Sequence, residues 1–293
     1  MKLIALLCSS LAISLAAADQ PPTKIQLHRP AKVGARQNIT VKTNVRNETS
    51  RGLNGKLDRD VQEYTAELKA ELKVLEITRN GSLKKFSLII DTFRITESGF
   101  DFEALPKGTR LVSFMKNNKQ VILEALEGRD DGKPLSKGIE HTALSEMISP
   151  KRENAPTDDE IFGSAKKHVK GDQWPINKAR AIEDMKAEEI IVDPKQFKGT
   201  TSLVGFEKVK DVNCYRLASV LEATNFKPPI PNTFKILDAQ LKGEFSGIFP
   251  VDPMLPEMQT TADVQMQFKA RFRTLEISIK RQIKTKMQVS PLD

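Results

Sequence analysis

This sequence has little of what most catalytic or metal-binding proteins use. Its 293 residues hold two cysteines, one tryptophan, two tyrosines and three histidines. One cysteine, Cys8, lies in the leading apolar segment, so a chain processed there keeps Cys214 alone and has no internal disulfide. Cys214 sits in an alternating apolar stretch and reads as a small buried hydrophobe. The histidines, His28, His141 and His168, lack the close ligand spacing of a zinc site. His168 and Asp172 are four apart, but Gly171 and Pro175 argue against the helix that would bring them together. No nucleophile elbow, phosphate loop or dinucleotide fingerprint occurs. Ser82–Lys85, Ser113–Lys116 and Ser164–Lys167 match S-x-x-K without the partner motifs of that chemistry. Asp130-Asp131-Gly132 lacks the alternating oxygens of a calcium loop. The expectation is a protein with no catalytic residues, no metal and no cofactor. Beyond the first residues no apolar run reaches a membrane-spanning length, so the processed chain is expected to be soluble.

What is present begins with an address. Lys2, the apolar run from Leu3 to Leu15 and the small residues before Asp19 form a secretory signal peptide, residues 1–18, cleaved after about Ala18. A periplasmic or extracellular location follows, as does a flexible lead over 19–32. The formal charge is +8, and much of it is concentrated. Between 264 and 289 lie Lys269, Arg271, Arg273, Lys280, Arg281, Lys284 and Lys286, against Glu276 alone. A secreted protein seldom works on nucleic acid, so this cluster suggests an anionic membrane surface or an envelope protein. Lysines that protect a strand face from edge pairing explain the same residues.

From residue 33 to 293 the pattern reads as one β-rich domain with a helical insertion over about 135–192. Ile39, Val41 and Val45 alternate with polar residues. Tyr64, Ala66, Leu68, Ala70, Leu72 and Val74 share one parity and Glu67, Lys69, Glu71 and Lys73 the other, which is period two. A helical stripe Leu68-Leu72-Leu75 competes, but Val74 and Ile77 fall off it, and the turn at Arg79–Ser82 favours a hairpin. In the insertion, Ile139, Ala143 and Met147 are spaced by four, Thr157 and Glu160 form a capping box, and Asn177 is placed to cap a third helix. Trp174 before Pro175 reads as the point where the chain re-enters the sheet. A second β half follows, with a turn at Lys210–Asn213 and glycines at 243 and 247 that suggest bulges or close approach. Val264, Met266, Phe268, Ala270 and Phe272 then alternate inward, and the phase slips near Thr274, where a bulge or tight turn is expected.

The turn Gly171, Asp172 and Trp174 after the helical stretch, followed by LVGFEKVKDVNCYRLAS, resembles an uncharacterised family of secreted bacterial β-sheet proteins. Asn213 stands where that family more often has glycine. More distantly, the layout is similar to periplasmic lipoprotein carriers, half-barrels whose concave apolar face is plugged by helices. That resemblance implies binding, with no catalytic residues to carry over. The expected fold is α+β and β-dominated: a twisted antiparallel sheet or half-barrel with a few helices on one face. The expected function is non-enzymatic binding in the cell envelope, with a lipid or amphipathic ligand on Val264, Met266, Phe268, Ala270 and Phe272. The alternative is a structural or protein-partner module using a strand edge, and behind it a hydrolase whose site goes unrecognised.

Overall fold

The computed structural model describes residues 21–53, 56–117, 119–126, 129 and 131–291. The expected signal peptide, Cys8, Asn118 and Asp130 lie outside the described residues. In chain order the strands and helices run β1 (Thr23–Lys24), β2 (Arg36–Leu53), β3 (Lys56–Ile77), β4 (Leu83–Glu97), β5 (Phe100–Glu103), β6 (Arg110–Lys116), β7 (Lys119–Ala125) and β8 (Gly132–Pro134). Then come α1 (Ile139–Met147), α2 (Asp158–Phe162), β9 (Lys167–His168), β10 (Gln173–Pro175), α3 (Lys178–Ala187) and a 3-10 turn, Pro194–Gln196. The chain ends with β11 (Phe197–Val209), β12 (Val212–Thr224), β13 (Lys235–Pro250), β14 (Gln259–Phe272) and β15 (Leu275–Pro291).

Thirteen of these strands make one unclosed antiparallel sheet, a β-dominated α+β architecture. Its order is β10-β11-β12-β13-β14-β15-β2-β3-β4-β6-β7-β8, with β5 added to β4. Nearly every neighbour in space is a neighbour in sequence, because short turns join antiparallel strands directly. Apart from β4 and β6, which pair past the short β5, the exception is the centre, where β15 pairs along its whole length with β2, Leu275 opposite Leu53 and Pro291 opposite Gln37. The last strand thus joins the meander of the second half to that of the first.

The local signals behind these elements are plain. Tyr64 to Val74 alternate buried and wet as period two requires, and the helical alternative fails because only one parity of this stretch meets the core. The β11–β12 hairpin turns on Lys210 and Asp211, both at positive φ, and the β14–β15 hairpin turns on Arg273, also at positive φ. Leu53 pairs with Lys56, so β2 and β3, of 18 and 22 residues, form an antiparallel pair in register over the whole of β2. Thr157 and Glu160 do form the capping box, and Asn177 accepts the Arg180 N–H at the start of α3. Glycines 243 and 247 mark no bulge. They admit aromatic rings: a Cβ on Gly243 would meet the Phe245 ring at 2.8 Å, and one on Gly247 the Phe249 ring at 2.4 Å. In this strand the register slips at Ile236/Asp238 instead, leaving Leu237 exposed.

All three helices lie on one side of the sheet, here called the inner face. The first core joins Val41, Leu68, Phe86, Phe93 and Leu111 of β2–β6 to Ala143, Leu144 and Met147 of α1. The second places Ile161 of α2 and Ala181 of α3 with Phe197, Leu221, Ala239, Phe268 and Ala270 of β11–β14. A third, smaller core contains Ile25, Leu27, Trp174, Leu203, Tyr215 and Leu217. It takes in part of the lead over 19–32. Within that span, β1 pairs with β9, Leu27 N–H donates to Asp159 Oδ1 at 2.6 Å, and Ala31 N–H donates to Gly81 O at 2.8 Å. Gly81 holds φ +82°, and a Cβ there would sit 2.9 Å from Pro30, so the chain can cross only over glycine. Two apolar residues with a buried surface to cover outweigh the polar composition of the rest of the lead.

Candidate functional site

The five residues expected to hold a ligand all lie on the inner face of β14, but they meet different surroundings. Phe268 and Ala270 are buried in the second core. Met266 is half-buried at its margin, and Phe272 is exposed at the end of the strand, its ring 5.6 Å from that of Phe234. Val264 is half-buried and belongs to none of the three cores. Its partner across β15 is Ile283, and next to that pair Met266 stands opposite Arg281. Ile283 and Met287 edge the first core, while Ile279, Met266 and Phe245 edge the second. The helices therefore cover the two flanks of the inner face, and between them runs a seam of half-buried apolar side chains: Val264, Met266, Ile279, Ile283 and Met287.

At the middle of this seam sits a polar cluster that strand alternation alone would not suggest. Arg281 projects inward and forms an ion pair with Glu146 of α1. Their side chains are 35% and 21% exposed, so solvent reaches the pair. Tyr64 lies on the same face of β3, two strands away, 2% exposed, and its hydroxyl is buried without a hydrogen-bond partner. The Nε of Arg281 is likewise buried and without a partner. Burial is the main reason the Tyr64 phenol is pushed up to about 12, with the Glu146 carboxylate adding to the shift and Arg281 opposing it. Burial also pushes the Glu146 carboxyl up, against the pull of Arg281. Lys280 and Arg281 are consecutive on a strand and must point to opposite faces, which is the signal that could have separated Arg281 from the basic cluster.

The Tyr64 shift has a measurable consequence. Its pKa in the folded protein lies above the usual value of 10.0, so the native state holds the proton more tightly than the unfolded chain. The associated stability is fully present below pH 10 and is lost as pH rises through about 12. An alkaline loss of about 2–3 kcal/mol is expected. It should be absent in Tyr64→Phe, as followed by urea unfolding and tyrosinate absorbance. An unchanged alkaline limb in that variant would place the effect at Tyr215, the only other tyrosine, whose phenol burial also raises.

The basic cluster divides. Lys269, Arg271, Lys280, Lys284 and Lys286 share the outward parity of β14 and β15, while Arg281 points inward and Arg273 sits in the turn, 5.3 Å from the Phe272 ring centroid. Arg271 pairs with Glu276, and Lys284 with Asp263 at 3.3 Å. On this outer face two cavities of about 460 and 510 Å³ lie between long polar side chains of β12–β15 and β2. The first is walled by Arg46, Glu222, Lys242, Gln265, Gln267 and Lys280. The second is walled by Lys42, Glu244, Asp263, Lys284 and Lys286. These cavities are rimmed by charged side chains over a partly apolar floor, which in the second includes Ala218, Val220 and Ala262, and they stand on the side of the sheet away from the apolar stripe.

The residues around the tryptophan come together as the spacing did not suggest. His168 Nδ1 lies 3.2 Å from Asp172 Oδ2, and Nε2 lies 2.8 Å from Ser164 Oγ. A turn through Gly171, at φ +93°, does what a helix was expected to be needed for. Ser164, His168 and Asp172 thus form a hydrogen-bonded chain of the kind that activates a serine. Other features describe a pinned loop. His168 is buried and stacked on Trp174 at 4.1 Å, Lys166 N–H donates to Ser164 Oγ, and Val169 N–H donates to the same Asp172 oxygen. Trp174 is buried and donates its indole N–H to Phe162 O at 2.8 Å. Cys214 is buried against Met258, and burial raises its thiol pKa. Among the described residues no group of three or more His, Cys, Asp or Glu could hold a metal ion, and no helix is long and apolar enough to cross a membrane.

The fold and seam together define a class: an open antiparallel β-sheet protein with helices on one face only. No family model matches the sequence, and no curated protein matches it. Among solved structures it is similar to one described as lipid–protein interactions in lipovitellin, at 8% identity and TM-score 0.37, over 89% of this chain and 26% of that one. The chain thus spans about a quarter of that protein. It is also similar to OccK11 (OpdR) of Pseudomonas aeruginosa, at 8% identity and TM-score 0.26, over 90% of this chain and 100% of that one. A DUF1329 family protein from Desulfovibrio piger matches at 13% identity and TM-score 0.19, over 85% and 83% of the two chains.

Proposed function

We propose that this is a secreted or periplasmic, non-enzymatic binding protein of the cell envelope that holds an amphipathic ligand on the inner face of its sheet. The observation that carries this reading is the seam. Val264, Met266, Ile279, Ile283 and Met287 stay half-buried on a face whose flanks are fully buried under helices. Methionines adapt their shape to an apolar chain, and ligand sites are mostly apolar with a few placed polar groups. The compartment rests on the signal-peptide pattern of the first eighteen residues. Burial of His168 under Trp174 supports a structural role for the Ser164 chain over catalysis. The competing reading, a partner added at a strand edge, is disfavoured by the outermost strands. Each is three residues long and ends in proline, Pro134 in β8 and Pro175 in β10.

Protein purified from its own host's envelope fraction should carry a stoichiometric lipid-type adduct by native mass spectrometry, recovered by organic extraction. Val264→Asp should lose it while keeping the circular dichroism spectrum. A bare mass that persists after challenge with lipid vesicles would sink the carrier reading. Lys269, Lys280 and Lys286 have no carboxylate within 4 Å among the described residues, so the outer face would then be tested for an anionic surface as partner.

A further inference from the structure

Resting on the seam as the ligand site, we propose that Tyr64 and Arg281 bind the head of that ligand, and that the head is a carboxylate on a single acyl chain. Two buried donors, the Tyr64 O–H and the Arg281 Nε–H, have no acceptor. Leaving a buried donor unpaired is unfavourable, and proteins rarely leave two in one place. They share the inner face across β3, β2 and β15, where Tyr64 stands opposite Val45, Val45 opposite Ile283, and Arg281 one inward position further along. Glu146 pairs with Arg281 and acts on the Tyr64 phenol, so α1 stands over this part of the inner face. Met266 faces Arg281 and Val264 faces Ile283, so apolar surface leads directly away from the donors.

That arrangement selects the ligand. A terminal Arg281 nitrogen is already engaged by Glu146, so the buried donors left without a partner are the Arg281 Nε–H and the Tyr64 phenol. A carboxylate offers two oxygens, one for each. A phosphodiester head would carry further polar groups into flanks made of Val264, Met266 and Ile283, which offer them no partners. A neutral alcohol could accept from only one donor strongly and would gain nothing from the guanidinium charge. Glu146 already pairs with Arg281, and its position there would oppose a doubly charged head more than a singly charged one.

The test uses the processed protein, stripped of bound lipid, with palmitate, hexadecanol and palmitoyl lysophosphatidylglycerol, by titration calorimetry and native mass spectrometry. Palmitate should bind at least about tenfold more tightly than hexadecanol, the worth of one charge-assisted hydrogen bond. Tyr64→Phe should weaken palmitate about five- to tenfold and hexadecanol by less. The same variant removes an unpaired buried hydroxyl, so its unliganded melting temperature should be equal to or above that of the parent protein. Arg281→Lys keeps the charge and the Glu146 pair but removes the Nε–H, and should weaken palmitate similarly. Equal binding of palmitate and hexadecanol, or palmitate affinity untouched in both variants, overturns the head assignment while the seam reading stands. Tighter binding of the lysophospholipid overturns the carboxylate. If no amphiphile binds, the seam reading fails and this inference falls with it.

Discussion

Phe93→Ala should lower the unfolding free energy by about 3–5 kcal/mol, the usual range for removing a buried aromatic ring. Phe93 is fully buried on β4, directly opposite Leu68 on β3, which is also fully buried. Their neighbours, Ile95 and Ala66, are fully buried as well, so no side chain is free to swing into the gap. The β3–β4 register slips at Lys69/Ala70, beyond this pair, but Tyr64 to Lys69 run in unbroken register with Glu97 to Thr92, and such paired strands cannot close in on a vacated ring as a loop could. The first core should therefore leave a cavity rather than collapse. Urea unfolding followed by circular dichroism measures this directly, and a shift in midpoint at unchanged slope is expected. A loss of less than about 1.5 kcal/mol would mean that the β3–β4 pair relaxes to fill the space, contrary to the tight packing described.

Trp174→Ala should cost a similar amount, about 3–5 kcal/mol, for a different reason. The indole joins parts of the chain that are far apart in sequence. It packs with Ile25 and Leu27 of the lead and with Leu203, Tyr215 and Leu217 of the sheet, it stacks on His168, and it bonds to Phe162. Without it, the His168 ring loses its cover and the lead loses part of the surface that buries it. Cleavage within 23–31 by a broad-specificity protease should then speed up well before global unfolding, because local opening requires less free energy than the whole transition. Trp174→Phe keeps the ring and gives up the bond to Phe162 O, so it should cost about 1–2 kcal/mol. Trp174 is the only tryptophan, so intrinsic fluorescence of the parent protein reports this core alone. Unaltered protease resistance in the alanine variant would detach the lead from the tryptophan.

Much of the fold was legible locally. The parity of Tyr64 to Val74 placed β3, and the alternation of Val264 to Phe272 placed β14 with its inner face. The slip near Thr274 marked the last hairpin, and Thr157, Glu160 and Asn177 marked where helices begin. Strand alternation and helix capping depend on residues a few positions apart, so a single sequence carries them. The lead was not legible, because two buried residues in a polar stretch have no period of their own.

The candidate site was legible only in part. The inward set on β14 followed from alternation, but alternation does not say which members helices will cover. Phe268 and Ala270 lie beneath α2, α3 and their loops, whereas Val264 remains at the seam. Arg281 read as one of seven surface cations until its partner, Glu146, arrived from a helix 135 residues away in the chain. The contact between Tyr215 and Gln26 spans 189 residues, and the pairing of β15 with β2 brings the two ends of the described chain together. The residues by themselves determined a signal-peptide pattern, a β-dominated class, the inner and outer parity of the long strands and the helix starts, all consequences of local stereochemistry. Only the tertiary structure decided the strand order, the docking of the lead, the His168 loop and the two unpaired donors at the seam. Each depends on which distant surfaces meet when the sheet assembles, and no spacing in the sequence records that.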